Sequence, residues 1–316
     1  MDSGMAGTKK QVTIAVAGVV LIAVLIGGVV WLKSAIDIRK HDRERAAVIE
    51  AVVERVAASD AVVVAVDSAV NAEMTASTPE EIAGLSDQVD PAIEGLVGVQ
   101  EEIGRIEETY KNLDETPLYA VANSVEGRIA MLTVGKRILA LDGDTARALA
   151  LVDAGWKSMI QAHEQGNAAV AAANQHSPQG LIESAFQNNA ALDSLASAKE
   201  DLLAASEILP SSQIDDAVAY IDLKLEANRL ARETDSALAK NDVDGANALI
   251  DPYNQAESKA AEAAVKLVAS PKELIKEPYD VRIADLLVEY QAARSTTARS
   301  DGIVLEAPLN GETPAP

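Results

Sequence analysis

A ten-residue stretch of this chain, SPQGLIESAF, comes back ninety-three positions later as SPKELIKEPY. Two further pairs of segments match in the same order and at similar offsets. Successive matches at nearly equal spacing indicate an internal repeat in which each copy is one supersecondary unit, here about 95 residues long. The matched pairs are 177–186 with 270–279, 92–103 with 191–202, and 144–153 with 242–251.

Each copy is predicted to contain three helices. Ser or Thr stands directly before Pro at Thr78, Ser177 and Ser270, where the hydroxyl can cap a helix that has Pro at its first position. The sequences DGD (142–144) and ND (241–242) predict short turns before the third helix of each copy. The predicted helices are 79–110, 117–141 and 145–175, then 178–209, 213–240 and 244–269, then 271–299 as the start of an unfinished copy.

A long helix is also predicted before the first copy, over about 36–76. Ile49, Val56, Val63 and Val70 recur every seven residues, which gives an apolar seam of about 3.5-residue period. Such a seam packs inside a bundle or against a second copy of the chain, so homodimerisation through it is one expectation. Trp156 and Tyr253 stand at corresponding places in the two copies and are candidates for core wedges or for partner contacts.

The composition favours an all-α fold. The chain is 48 % apolar, yet it contains only two Trp, six Tyr and one Phe, so its cores must be built from Ala, Val and Leu. Small aliphatic side chains suit closely packed helices better than sheets, which draw on aromatic residues. There is no Cys, which excludes disulfides, thiolate metal sites and Cys nucleophiles.

The charge is strongly negative and uneven. The formal net charge is −22, and from Ala46 onward 20 Lys and Arg stand against 45 Asp and Glu. A surface of this sign repels nucleic acid and anionic lipid headgroups, so we expect no nucleic-acid partner.

An uncharged run of 21 residues at 12–32, VTIAVAGVVLIAVLIGGVVWL, predicts a single transmembrane helix that anchors the chain in a lipid bilayer. It is longer than the apolar part of a cleaved signal peptide, and Trp31 suits the membrane interface. Two sequence signals give opposite indications of the membrane orientation. More Lys and Arg lie on the C-terminal flank, which favours a cytoplasmic domain, whereas the overall form is that of a signal anchor with an exported domain. We expect the repeats outside the cytoplasm and keep the inward orientation as the alternative.

No catalytic, cofactor or metal motif is found. His163 and His176 are thirteen residues apart, about 20 Å along a helix, which is too far for one metal ion. Residues 240–251 resemble a calcium loop only superficially, because Lys240 occupies the first ligand position. Neither a phosphate loop nor a hydrolase motif occurs. We therefore expect a protein without catalytic residues, cofactor or metal.

Tandem units of three long helices over residues 36–299 resemble spectrin-type repeats. A single-pass anchor followed by such repeats is similar to the layout of bacterial septation-ring regulators. Two packed up-down bundles, or a four-helix sensor-like bundle formed by 36–175, are the alternatives.

The sequence thus predicts a membrane-anchored helical scaffold or spacer that presents interaction surfaces to other proteins of the bacterial cell envelope. The alternatives are a sensor or ligand-binding bundle that signals through a partner, or a cytoplasmic septation-regulator-like scaffold. The predicted organisation is a tail (1–11), the transmembrane helix (12–32), a juxtamembrane helix (33–77), two three-helix repeats (78–176 and 177–269), a partial third repeat (270–299) and a disordered Pro-rich tail (300–316).

Overall fold

The computed structural model describes residues 43–72, 78–109 and 116–306. These residues form helices joined by short connections, and they contain no strand, which confirms the all-α prediction. The run AVVVAV at 61–66, β-prone by itself, is helical because it lies within a longer packed helix. The helices are α1 (Arg43–Val70), α2 (Pro79–Thr109), α3 (Thr116–Ala173), α4 (Pro178–Ile208), α5 (Ser212–Ala239), α6 (Val243–Ala264) and α7 (Glu273–Glu306).

The chain divides into two compact units. Of the described residues, unit 1 comprises those up to Gly143 together with those from Arg282 onward, and unit 2 comprises Asp144–Val281. Unit 2 contains the C-terminal part of α3, the helices α4, α5 and α6, and the start of α7. The division between the units falls inside α3 and α7, after Gly143 and before Arg282, whereas the sequence repeats were predicted to divide at 177 and 270.

The predicted turn at 142–144 is replaced by continuous helix, since α3 runs unbroken for 58 residues. Buried side chains on both sides of the DGD sequence give the physical reason. Leu139 precedes it at 1 % exposure, and Thr145 and Ala148 follow it at 0 %. An apolar face that must be buried across the whole segment outweighs the turn preference of Gly and Asp. The equivalent ND sequence does end a helix, as predicted, with Asn241 at a φ of 58°.

The predicted starts of α2 and α4 are confirmed. Thr78 and Glu81 form a reciprocal capping box, with the Thr78 amide donating to Glu81 Oε2 at 2.8 Å. Ser177 Oγ accepts a hydrogen bond from the Gly180 amide at 3.0 Å, and Pro178 is the first helical residue. Asp242 caps α6 through the Gly245 amide, so the sequence that resembles a calcium loop is a capped helix start.

The last helix is longer than predicted. It begins at Glu273 and continues to Glu306, so the predicted disordered tail cannot begin at residue 300. Ser300 and Asp301 are buried at 6 % and 3 % exposure, and Asp301 forms an ion pair with Arg128. The Asp-Gly pair at 301–302 favours a turn, but this long-range contact keeps the segment helical.

Two glycines of α3 allow close helix packing inside unit 1. A Cβ added at Gly135 would overlap Val66 Cγ1, and one added at Gly127 would lie 3.1 Å from the Thr297 Cα. Only a residue without a side chain lets α3 approach α1 and α7 so closely.

The predicted transmembrane helix at 12–32 lies outside the described residues. Within residues 43–72, 78–109 and 116–306, no helix is both long enough and apolar enough to span a bilayer.

Candidate ligand cavity in the second helical unit

Unit 2 contains a cavity of about 460 Å³. Its walls are the C-terminal half of α3 together with α4, α5 and α6, and all the residues that line it belong to unit 2. Helix α4 packs along α5, and α5 packs along α6. The volume falls within the range of small-molecule sites, and the interior of a helical bundle is a common position for such sites.

The cavity exists because α3 presents small residues to the rest of the unit. Ala162, Gly166, Ala169 and Ala173 recur at three- and four-residue spacing and line one wall. A Cβ added at Gly166 would meet only Asn228 Oδ1, at 4.0 Å.

Three turns earlier in α3 the packing is tight. A Cβ added at Gly155 would lie 3.1 Å from the Ala198 carbonyl oxygen and 3.2 Å from Leu202 Cγ. Helix α3 is thus in close contact with α4 at Gly155, and space opens beside it at Gly166.

A buried carboxylate faces this space. Asp235 of α5 is 8 % exposed and lines the cavity. Its Oδ2 accepts hydrogen bonds from Ser184 Oγ at 2.6 Å and from Asn188 Nδ2 at 3.2 Å. Both donors lie on α4 and are themselves buried, at 2 % and 4 % exposure. The three side chains therefore form a polar cluster between the N-terminal part of α4 and the C-terminal part of α5.

Asp235 has no cationic partner among the described residues, since its bonds are those from Ser184 and Asn188. Burial raises the pKa of its carboxyl group, and the two hydrogen bonds offset only part of this effect. A carboxylate that is desolvated without an ion pair costs free energy. The cavity therefore holds an uncompensated negative charge when Asp235 is ionised.

The other charged groups of the wall neutralise each other. Lys224 Nζ lies 2.7 Å and 3.0 Å from the two carboxylate oxygens of Glu257. Tyr220 and Tyr253 also line the cavity, and burial followed by the charge of Glu257 raises the pKa of both hydroxyls. Asp235 raises the pKa of Tyr253 further, which places this ring within the field of the buried carboxylate.

Unit 1 also buries carboxylates, but each has a cationic partner. Arg128 is 2 % exposed, and it donates to Asp60 at 2.9 Å and to Asp301 at 3.0 Å. Arg294 Nε lies 2.9 Å from Asp67 Oδ1, and Tyr290 donates to the same carboxylate oxygen at 3.2 Å. These networks join α1, α3 and α7.

The residues singled out from the sequence have different positions. Val56, Val63 and Val70 are buried inside unit 1 at 7 %, 0 % and 7 % exposure, so their side chains pack within the chain itself. Ile49 lies in α1. The structure does not bring Trp156 and Tyr253 together in one described cluster, although both are half-buried.

Tyr253 packs against the core residues Ala227, Leu230 and Ala256, and it also lines the cavity. His163 lines the cavity as well, whereas His176 lies in the connection after α3. Among the described residues, no group of three or more His, Asp or Glu is arranged to hold a metal ion.

Sequence reasoning missed Asp235 and its two donors. A signal was present in α5, where Ile214, Ile221, Asn228 and Asp235 follow one another at seven-residue intervals. The seam of this helix is apolar at its start and polar at its end, and a polar residue at a seam position is predicted to be buried.

Comparison with protein-family models, with curated proteins and with solved structures finds no match for this chain. Function is therefore inferred from the geometry of the described residues.

Proposed function

We propose that this chain is a non-catalytic, membrane-anchored receptor that binds a small molecule in the cavity of unit 2. The observation that carries the proposal is the cavity itself, about 460 Å³ between four helices, with a buried polar cluster at one place on its wall. The cavity is open to solvent, since Val170 and Ile250 on its wall are 55 % and 44 % exposed. A small molecule can therefore enter it from solution and reach the buried polar cluster.

The membrane attachment in this proposal rests on the uncharged run at 12–32, which is long enough to cross a bilayer. With the helical units outside the cytoplasm, the receptor would sample envelope or external solutes. A signal would pass to a partner protein in the membrane or envelope, because helices of unit 2 that close on a ligand change the surface that a partner can contact.

Ligand binding is tested with the full chain in detergent micelles against a fragment library of cationic, neutral and anionic members. The informative variant is Gly166→Leu, which places a side chain in open space next to Asn228. The matched control is Gly98→Leu in unit 1, where an added Cβ has no neighbour within 4 Å. Both variants should fold, since both replace Gly in a helix by a better helix former.

The expected result is a set of fragments that raise the melting temperature of the wild type and of Gly98→Leu but lose this effect in Gly166→Leu. A saturating ligand stabilises by about 2.7 kcal/mol at a concentration a hundredfold above its Kd, which thermal unfolding detects readily. If no fragment binds the wild type, or if Gly166→Leu binds as well as the control, the receptor proposal is refuted.

The scaffold role predicted from the sequence remains a second candidate, and one surface supports it. Ile182 and Phe186 lie one turn apart on α4 and are 56 % and 63 % exposed. Phe186 is also the only Phe of the chain. Two large apolar side chains on one helical face can anchor a partner protein or a second copy of the chain.

A photo-crosslinking residue at position 186, compared with one at Glu200, an exposed position almost four turns further along α4, tests this second candidate in living cells. A discrete product specific to position 186 would support a partner on this face, and its mass would separate a homodimer from a complex with another envelope protein. Equal or absent crosslinking at the two positions would argue against it.

A further inference from the structure

The charge balance of the cavity indicates which kind of molecule it can hold. Asp235 carries a negative charge that has no Lys, Arg or His partner among the described residues, whereas Lys224 of the same helix is paired with Glu257 of α6. Both hydrogen bonds to Asp235 end on Oδ2, so its second oxygen, Oδ1, is available to a donor in the cavity. A bound cation would supply the missing partner and offset the cost of the buried carboxylate.

The wall chemistry favours an organic cation over a metal ion. A hard metal ion requires several oxygen ligands at short range, and the described residues contain no cluster of carboxylates and histidines that provides them. Much of the wall is apolar instead, with Met159, Leu195 and Ile250 among its residues. Such a surface suits a hydrocarbon body attached to the charged group.

The two tyrosines strengthen this choice. Tyr220 and Tyr253 line the same cavity, and Tyr253 lies close enough to Asp235 to be affected by its charge. Aromatic faces attract ammonium groups, and the attraction grows when the cation is desolvated. A protonated amine near Asp235 would therefore have an ionic partner and an aromatic wall.

We propose that the cavity of unit 2 selects a small primary amine, with its ammonium group on Asp235 and its apolar body against the aliphatic wall and the tyrosines. This inference rests on the proposed receptor function and specifies its ligand class. Ser184 and Asn188 act as positioning residues, because their hydrogen bonds to Oδ2 fix the carboxylate while Oδ1 remains free for the ligand.

The test uses three probes of similar shape and different charge, namely 2-phenylethylamine, 2-phenylethanol and phenylacetate. Binding to the full chain in detergent micelles is measured by ligand-observed NMR and by thermal unfolding. The variant is Asp235→Asn, which keeps an acceptor for Ser184 and Asn188 and removes the charge. The control is Asp222→Asn on the same helix, where the carboxylate is exposed and paired with Lys199.

We expect the amine to bind the wild type more tightly than the alcohol does, and the carboxylate probe not to bind. Asp235→Asn should weaken amine binding by roughly tenfold or more, because a charge-assisted hydrogen bond is lost. The same variant should leave alcohol binding unchanged, and Asp222→Asn should leave both unchanged.

Two results would overturn the inference, and only one of them also refutes the proposed receptor function. If the alcohol binds as tightly as the amine and Asp235→Asn has no effect, selection by charge is wrong, while sensitivity to Gly166→Leu would still support the receptor function. If the amine binds but Gly166→Leu does not weaken it, the binding lies outside the cavity, and both proposals fail.

Discussion

Replacement of Arg128 by Met should be among the most destabilising single changes in unit 1. Arg128 is 2 % exposed, and it lies between the side chains of Asp60 and Asp301, which are 12 % and 4 % exposed. Without the guanidinium group, both carboxylates stay buried with no cation to meet them. Removal of one partner from a buried ion network costs about 3–5 kcal/mol, so we expect a loss of this size in the free energy of unfolding at neutral pH.

The pH dependence of this loss has a definite sign. Burial already raises the pKa of Asp60, and Arg128 partly offsets that rise. In the Met variant the folded-state pKa should rise further. A carboxyl group with a raised folded-state pKa stabilises the fold fully below its unfolded pKa of about 3.8, and this contribution is lost as the pH rises through the folded value. The deficit of Arg128→Met should therefore be largest at neutral pH and shrink toward pH 4.

The assay is urea unfolding of the full chain in mild detergent, followed by far-UV circular dichroism at several pH values. Arg137→Met is the matched control, because Arg137 lies on the same helix and its ion pair with Glu289 is exposed. An exposed pair contributes about 0–1 kcal/mol. Arg128→Met together with Asp60→Leu and Asp301→Leu should recover much of the stability, since apolar replacement of a whole buried network is often neutral. If Arg128→Met costs no more than Arg137→Met, the network is not buried as described.

Three further predictions follow from the structure. Gly127→Ala should lower the free energy of unfolding by up to about 2 kcal/mol, because overpacking against Thr297 costs about 1–3 kcal/mol and the gain in helix propensity is only about 1 kcal/mol. Gly98→Ala, which meets no neighbour, should raise the free energy of unfolding by about 1 kcal/mol. Urea unfolding of both variants measures the difference, and equal shifts would contradict the close approach of Gly127 to Thr297. Asp235→Asn should stabilise the ligand-free chain at neutral pH and lose this advantage below about pH 4. The reason is that the folded-state pKa of the Asp235 carboxyl group is raised, so the wild type loses folding stability as the pH rises and this group ionises. A variant less stable than the wild type at pH 7 would show that the ionised carboxylate does not destabilise the fold. A single Cys introduced by Ala315→Cys should react with a membrane-impermeant maleimide in intact cells if the helical units are exported, and protection until lysis would place them in the cytoplasm.

Local signals predicted the helices well because their causes are local. The Thr78 capping box and the Ser177 cap followed from hydroxyl and Pro positions in the sequence, and the structure contains both. The seven-residue spacing of Val56, Val63 and Val70 identified a buried face of α1 without stating what covers it. The periodicity of apolar residues indicates that one face of a helix is buried, but which other helix covers that face depends on the topology of the fold.

Long-range packing accounts for what was missed. The helix passes through Gly143 because residues on either side of it are buried by other helices, and a turn signal carries no information about such contacts. Helix α7 extends beyond residue 300 because Asp301 meets Arg128, which is 173 residues away in the chain. The grouping of helices into units follows from the same kind of contact, so the sequence repeat could not reveal it.

Both units bury carboxylates, but they compensate the buried charge differently, and this difference supports the receptor proposal. Both place carboxylates at seam positions of long helices, where burial raises the cost of ionisation. In unit 1, Asp60 and Asp67 form ion pairs with Arg128 and Arg294 of the same unit. Unit 2 gives Asp235 only neutral donors and leaves space beside it. A fold that needed Asp235 for stability alone would gain from a neutral side chain there, so the uncompensated charge is best explained by a cationic partner that arrives from solution.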